Sequence, residues 1–177
     1  MFEPIYSKKI ELKKSPIHGI GAFAKEPISR GEILFVKNGH VLLKTERCFE
    51  KTVECDWPVN DQYTIGAKLK SEHDLVRLQI NHSCNPNCGL IGINAGIAMR
   101  DIAIAEEITF DYAMLDNEDY SFDCNCRNEN CRKTIKGFDW ENKELQKRYD
   151  GYFSNNIQVK INKQNKKTIQ NTRISET

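Results

Sequence analysis

Three of the chain's seven cysteines fall within eight positions, as Cys124, Cys126 and Cys131. Their neighbours are Asn125, Arg127, Asn128 and Glu129 rather than the apolar run that usually surrounds a buried structural cysteine. Thiols clustered in a polar setting suit a metal, and zinc in a structural site takes four ligands in a tetrahedron, often all sulfur. The segment is one ligand short, so a remote residue has to complete it, and Cys84, Cys88 and His82 qualify by type. The competing reading is three free surface thiols, an arrangement that clustering and reactivity disfavour.

Those candidates belong to a second chemical stretch, Asn81-His82-Ser83-Cys84-Asn85-Pro86-Asn87-Cys88. Asn, Ser and Pro compete with regular backbone hydrogen bonding, so this composition predicts a rigid loop that presents polar groups. A third stretch, Glu107-Ile108-Thr109-Phe110-Asp111-Tyr112, brings two carboxylates and a phenol to the end of a predicted strand. The plainest reading of each residue alone is structural: strand-end aromatics are usually core, and the carboxylates are solvated or satisfy turns.

The elements that must hold these stretches read as short strands. Ile5 to Lys14 alternates as a half-buried strand and breaks at Ser15-Pro16. The His18-Gly19-Ile20-Gly21 turn lets the backbone approach a ligand closely, although a lone Gly-x-Gly is weak by itself. Pro27 to Gly31 is a turn, and strands are predicted over Glu32 to Lys37, Val41 to Leu43 and Gln62 to Ile65. The segment through Cys48, Cys55 and Trp57-Pro58 has no clear period. Asp74 is expected to cap a short helix through Leu78, and Ile91 to Met99 a strand pair turning at Asn94-Ala95-Gly96. Glu141 to Tyr149 has helical spacing, and from Ser154 the Asn-, Lys- and Gln-rich chain reads as a flexible or partner-docked tail. Many short strands with few helices predict a mostly β fold of small packed sheets.

The 26 basic and 25 acidic residues imply no strong field toward nucleic acid or anionic membrane. No apolar run approaches the roughly 20 residues that span a bilayer. The N-terminus has neither the basic nor the apolar region of a secretory signal, and an odd cysteine count in such a chain argues against a disulfide framework. An intracellular, reducing compartment is the expectation.

Taken in order, His18-Gly-Ile-Gly-Ala-Phe-Ala24, Asn81-His-Ser-Cys-Asn-Pro-Asn87, Glu107-Ile-Thr-Phe-Asp-Tyr112 and Cys-x-Cys-x4-Cys resemble a SET-domain protein lysine methyltransferase with its post-SET zinc segment. The resemblance covers roughly residues 8–140. It implies several small β-sheets around a pseudoknot, with short helices: a SET domain over 5–115 with a variable insert at about 38–73, a post-SET segment over 116–140, and a helix with an Asn/Lys-rich tail over 141–177. It implies that the backbone of Gly19, Ile20 and Gly21, the Asn81 side chain, the His82 backbone and Tyr112 hold S-adenosylmethionine. Tyr112 would be the catalytic tyrosine, Phe110 would set how many methyl groups fit, and Tyr63 would line the lysine channel. Cys84 would be the fourth zinc ligand beside Cys124, Cys126 and Cys131.

A methyl group moves from sulfonium to amine by in-line displacement, so placement matters more than a strong acid or base. Phe110, unlike tyrosine, cannot hold a water against the amine, which favours di- or trimethylation. The partner would be a protein or peptide carrying a target lysine, a histone tail among them. The chain departs from the family pattern at Leu78-Gln79, at Asp74-Leu75 and at Arg127, and no cysteine-dense segment lies ahead of residue 15. Two other readings stand beside this one: a catalytically silent SET-like module that docks a peptide, and a zinc-stabilised interaction domain without a cofactor.

Overall fold

The computed structural model of the chain describes residues 3–46 and 56–175, with side chains through residue 166. Cys48 and Cys55 lie outside the described residues. In chain order the strands are β1 (Ile5–Tyr6), β2 (Ile10–Lys14), β3 (Ile20–Ala24), β4 (Ile33–Val36) and β5 (His40–Leu43). Then come β6 (Trp57–Pro58), β7 (Tyr63–Gly66), β8 (Asn81–His82), β9 (Cys88–Ile91), β10 (Ala95–Ala98), β11 (Glu107–Phe110), β12 (Ser121–Asp123) and β13 (Thr134–Lys136). The α-helices are α1 (His73–Val76), α2 (Lys143–Arg148) and α3 (Asn155–Ser175).

These strands form small sheets ordered β1-β4-β10-β9, β2-β3-β11-β8 and β5-β7-β6, plus the β12-β13 hairpin. The mostly β architecture expected from the sequence is therefore present. One core joins the sheets: Ala22, Leu34, Phe35, Leu90, Ile108 and Met114 pack with Trp140, Leu145, Tyr149, Phe153, Ile157 and Ile161 from the C-terminal segment. No helix among the described residues is long and apolar enough to cross a membrane.

Four local expectations are corrected. The first predicted strand is two, because the chain turns at Ser7, whose carbonyl accepts from the Ile10 N–H at 3.0 Å. Alternation there is lost too, since Ile10 is buried while Leu12 is exposed. Asp74 lies inside α1 rather than capping it, the N-cap being Glu72. The hairpin turns two residues earlier than predicted, over 92–94, with Ala95 and Gly96 already paired to Ile91 and Leu90. The largest difference is the tail: residues from Asn155 form a helix of 21 residues. Ile157 and Ile161, four apart, share one helix face and are buried in the core. Polar composition hid that two-residue anchor.

Candidate active site and cysteine cluster

Strand β11 runs in the interior of its sheet, antiparallel to β3 on one side and parallel to β8 on the other. The parallel register sets Thr109 beside Asn81 and Phe110 beside His82. Beyond β8 the polar loop stays tied to the same strand: Ser83 N–H donates to the Phe110 carbonyl at 3.2 Å and Asn87 N–H to the Thr109 carbonyl at 3.3 Å. Asn87 Oδ1 accepts from Thr109 N–H at 3.0 Å in return. Amides that spoil a strand interior are thus used to satisfy an irregular backbone beside one.

Asn81 fixes the N-terminal turn to this strand. Its Nδ2 donates to the His18 carbonyl at 3.0 Å, the Ile20 carbonyl at 3.5 Å and Glu107 Oε1 at 2.8 Å. The same carboxylate oxygen accepts from Ser15 Oγ at 2.7 Å, and Ser15 Oγ accepts from Ile17 N–H at 2.9 Å. Gly19 has a φ of +49°, and a Cβ on Gly21 would lie 2.3 Å from Glu107 Oε1 and 3.0 Å from Asn81 Nδ2. A side chain at 21 would therefore displace the Glu107 carboxylate from Asn81 and Ser15.

A cleft of about 390 Å³ opens beside this network, lined by Ile17, His18, Asn81, His82, Tyr112, Phe122, Asp123, Cys124 and Asn125. Its volume falls in the range of small-molecule and cofactor pockets. Separate stretches of sequence thus line one cleft, the start of the cysteine segment among them. Tyr112 opens a 3-10 turn, Tyr112–Met114, capped by Asp111 Oδ1 accepting from Ala113 N–H at 3.0 Å. The Tyr112 hydroxyl donates to the Ile80 carbonyl at 3.4 Å. Its ring lies 5.1 Å from that of Phe110, 5.2 Å from His82 and 5.9 Å from Phe122, measured between centroids. His82 Nδ1 accepts from Tyr112 N–H at 3.2 Å. Burial holds the His82 imidazole well below its usual range, at about 4, so at neutral pH the ring is uncharged with its proton on Nε2.

Cys84, Cys124, Cys126 and Cys131 place their sulfurs within 4.8 Å of one another, and Cys84 Sγ lies 3.9 Å from Cys124 Sγ. With metal–sulfur bonds near ~2.3 Å, tetrahedral sulfurs sit roughly 3.8 Å apart, so the donor set and its spacing fit zinc. Of the residues that could complete the late thiols, Cys84 is the one gathered with them. Cys88 is on β9, fully buried, with its thiol donating to the Gly89 carbonyl at 3.3 Å. His82 Nε2 approaches Cys84 Sγ at 3.4 Å and so touches the cluster from outside it.

The sequence did not single out the group beneath the cluster. Asp111 is fully buried and binds Arg132 through two oxygens, Nη1 to Oδ2 at 2.5 Å and Nη2 to Oδ1 at 2.8 Å. Tyr149 donates its hydroxyl to Asp111 Oδ2 at 3.0 Å and lies 3.4 Å from the Cys84 carbonyl. Arg132 also reaches Asp139 Oδ2, from Nε at 3.2 Å, while its backbone N–H donates to Cys84 Sγ at 3.3 Å. A hint existed in the adjacency of Asp111 to Tyr112 and of Arg132 to Cys131.

Gly19 ends the turn and Ile20 and Gly21 begin β3, with Asn81 reaching the His18 and Ile20 carbonyls on either side of Gly19. Phe110 is buried behind Tyr112, its ring 6.1 Å from Trp57. Tyr63 is not among the cleft residues. It starts β7 with 39% of its surface exposed, opposite Leu43 of β5.

Comparison with known proteins finds the SET domain family matching residues 19–113. Histone-lysine N-methyltransferase set1 of Dictyostelium discoideum is 34% identical over 143 residues, covering 72% of this chain and 9% of that protein. Histone-lysine N-methyltransferase SETD1B of Homo sapiens is 31% identical over 140 residues, covering 72% of this chain and 7% of its own length. The probable histone-lysine N-methyltransferase set-23 of Caenorhabditis briggsae is 29% identical over 147 residues, with 72% and 61% covered. The chain thus spans a small part of the first two relatives and about three fifths of the third.

Proposed function

Because this chain belongs to the SET-domain family, we propose that it is a protein-lysine N-methyltransferase that uses S-adenosylmethionine. The observation that carries the reading is the single cleft in which Asn81, His82 and Tyr112 meet beneath Phe122 to Asn125. The names of the similar proteins support a histone lysine as the substrate class. Residues 5–115 would form the SET domain and 116–140 the zinc segment, working in an intracellular, reducing compartment where thiols stay available to a metal.

S-adenosylmethionine would lie against the backbone of Gly19, Ile20 and Gly21, with the Asn81 side chain and the His82 backbone at its amino and adenine groups and Tyr112 also in contact with it. It would supply a sulfonium methyl for displacement by an amine. A free lysine amine has a pKa of ~10.4, and a lysine channel of the kind the family resemblance implies, with Phe110 and Tyr63 on its walls, would favour the neutral, attacking form. The Tyr112 hydroxyl aims that amine, with the Ile80 carbonyl holding the hydroxyl in turn. Phe110 offers no hydroxyl to retain a water, leaving room for an already methylated amine and so for di- or trimethylation. Cys84, Cys124, Cys126 and Cys131 would hold one structural zinc that fixes the roof of the cleft.

The test is mass spectrometry of histone and mixed-lysate peptides after incubation with purified protein and heavy-methyl cofactor. Lysine labelling is expected in the native protein and is lost in Tyr112→Phe, while calorimetry shows that variant still binding cofactor. Cofactor binding with no labelled lysine in any peptide would instead favour a silent docking module. Phe110→Tyr is expected to move products toward monomethyl-lysine. An unchanged product ratio would remove the proposed role of Phe110.

A further inference from the structure

The cysteine cluster and Tyr112 are joined by a path that neither the cleft nor the metal ligands require. Asp111 immediately precedes Tyr112 and caps its turn, and it has no exposed surface. Both its oxygens are taken by the Arg132 guanidinium, a planar fork that fixes the carboxylate in orientation as well as position. Arg132 follows the ligand candidate Cys131, and its own N–H points at Cys84 Sγ. Tyr149 closes the loop from the other side, on Asp111 and on the Cys84 carbonyl.

We infer that the Arg132–Asp111 pair is a positioning device that sets the Tyr112 hydroxyl according to whether the four-cysteine cluster is assembled. The inference rests on the methyltransferase reading only for its kinetic consequence. With the cluster formed, the 131–132 backbone is held and the guanidinium locks Asp111, hence the first residue of the 3-10 turn. With the cluster open, the 131–132 backbone loses its hold on Cys84, and the guanidinium, still paired with Asp111 and Asp139, shifts with it and carries the cap of the turn along.

The experiment uses the full chain labelled with 3-fluorotyrosine, the Tyr112 resonance being identified among the six tyrosines by its loss in Tyr112→Phe. Chelating zinc from the native protein should shift that resonance. The double variant Asp111→Asn/Arg132→Gln removes both charges of the buried pair, and Asp139, which loses the same guanidinium, keeps the Lys136 N–H and partial exposure to water. It is expected to retain one zinc per chain, yet show the shifted resonance and a kcat lowered roughly 10- to 100-fold, with cofactor affinity unchanged. Arg132→Lys restores the charge without the fork and should recover only part of the rate. A zinc-loaded double variant with native resonance and native kcat would overturn the inference. Should that variant fail to fold, a native resonance indifferent to zinc removal overturns it equally. A native protein that transfers no methyl group, while its resonance follows zinc and the variants, would sink the methyltransferase reading and leave the coupling standing.

Discussion

Gly21 has no room for a side chain, because Glu107 Oε1 and Asn81 Nδ2 already occupy the space a Cβ would take. Gly21→Ala must therefore push Asn81 or Glu107 aside, at a cost of about 1–3 kcal/mol for overpacking. Asn81 also lines the cleft, so the larger effect belongs to binding: cofactor affinity measured by calorimetry is expected to fall by roughly tenfold or more for each ~1.4 kcal/mol of lost contact. Unaltered affinity in a folded Gly21→Ala protein would mean that the Asn81 amide does not face the ligand. Asp111 and Arg132 carry the opposite lesson about charge. Truncating Arg132 alone leaves a carboxylate buried without its counterion, a change that typically costs about 3–5 kcal/mol. Arg132→Met is accordingly expected to lower the denaturant midpoint far more than the charge-neutral double variant, and equal midpoints would show that the hydrogen bonds from Tyr149 and Ala113 suffice to hold Asp111 without its counterion.

Among the elements, α3 has the least favourable composition and a firm anchor. Its entry is fixed where Ser154 N–H donates to the Met114 carbonyl at 2.9 Å, two residues past Tyr112, and its first turns bury Ile157 and Ile161. Deleting a buried aliphatic side chain costs about 2–5 kcal/mol, so Ile157→Ala should destabilise the protein by that amount in urea unfolding. A change below ~0.5 kcal/mol would show that the helix rides on the core without contributing to it. Further polar contacts tie the helices together: Lys143 Nζ donates to Gln164 and Asn165, and Gln146 Nε2 to Gln164. Such exposed contacts contribute little individually, so the apolar anchor decides where α3 lies.

At the scale of the whole molecule, the apolar packing is unevenly shared. The main core draws on both four-stranded sheets and the C-terminal helices, whereas Cys84, Cys126 and Ile135 form a separate small cluster under the β12-β13 hairpin. Three buried side chains cannot offset the ordering entropy of that hairpin and its loop, so the segment would depend on the zinc proposed for its cysteines. Chelation is expected to abolish amide-exchange protection over 121–136, while amides of β3, β4, β10 and β11 stay protected. Global loss of protection would show that zinc holds the entire fold, and unchanged protection over 121–136 would show that it holds nothing. Because Phe122 to Asn125 also line the cleft, the same treatment should weaken cofactor binding.

What the sequence determined alone was chemistry carried by neighbours in the chain: a run of thiols, a loop of amides, a phenol just past a strand, and many short strands. Those patterns are local, and local physics of propensity and ligand type is enough to read them. Pairings across long separations needed the tertiary structure. Arg132 meets Asp111 over 21 positions and Tyr149 meets Asp111 over 38, whereas the meeting of Cys84 with Cys124 over 40 was already implied by the family resemblance, the residue types alone leaving Cys88 and His82 open beside it. In a sequence, a buried ion pair looks like any two surface charges, since only packing decides which carboxylate loses its water and must be given a partner. The helical tail was hidden for the same reason: two isoleucines four apart mean little until a core exists to receive them.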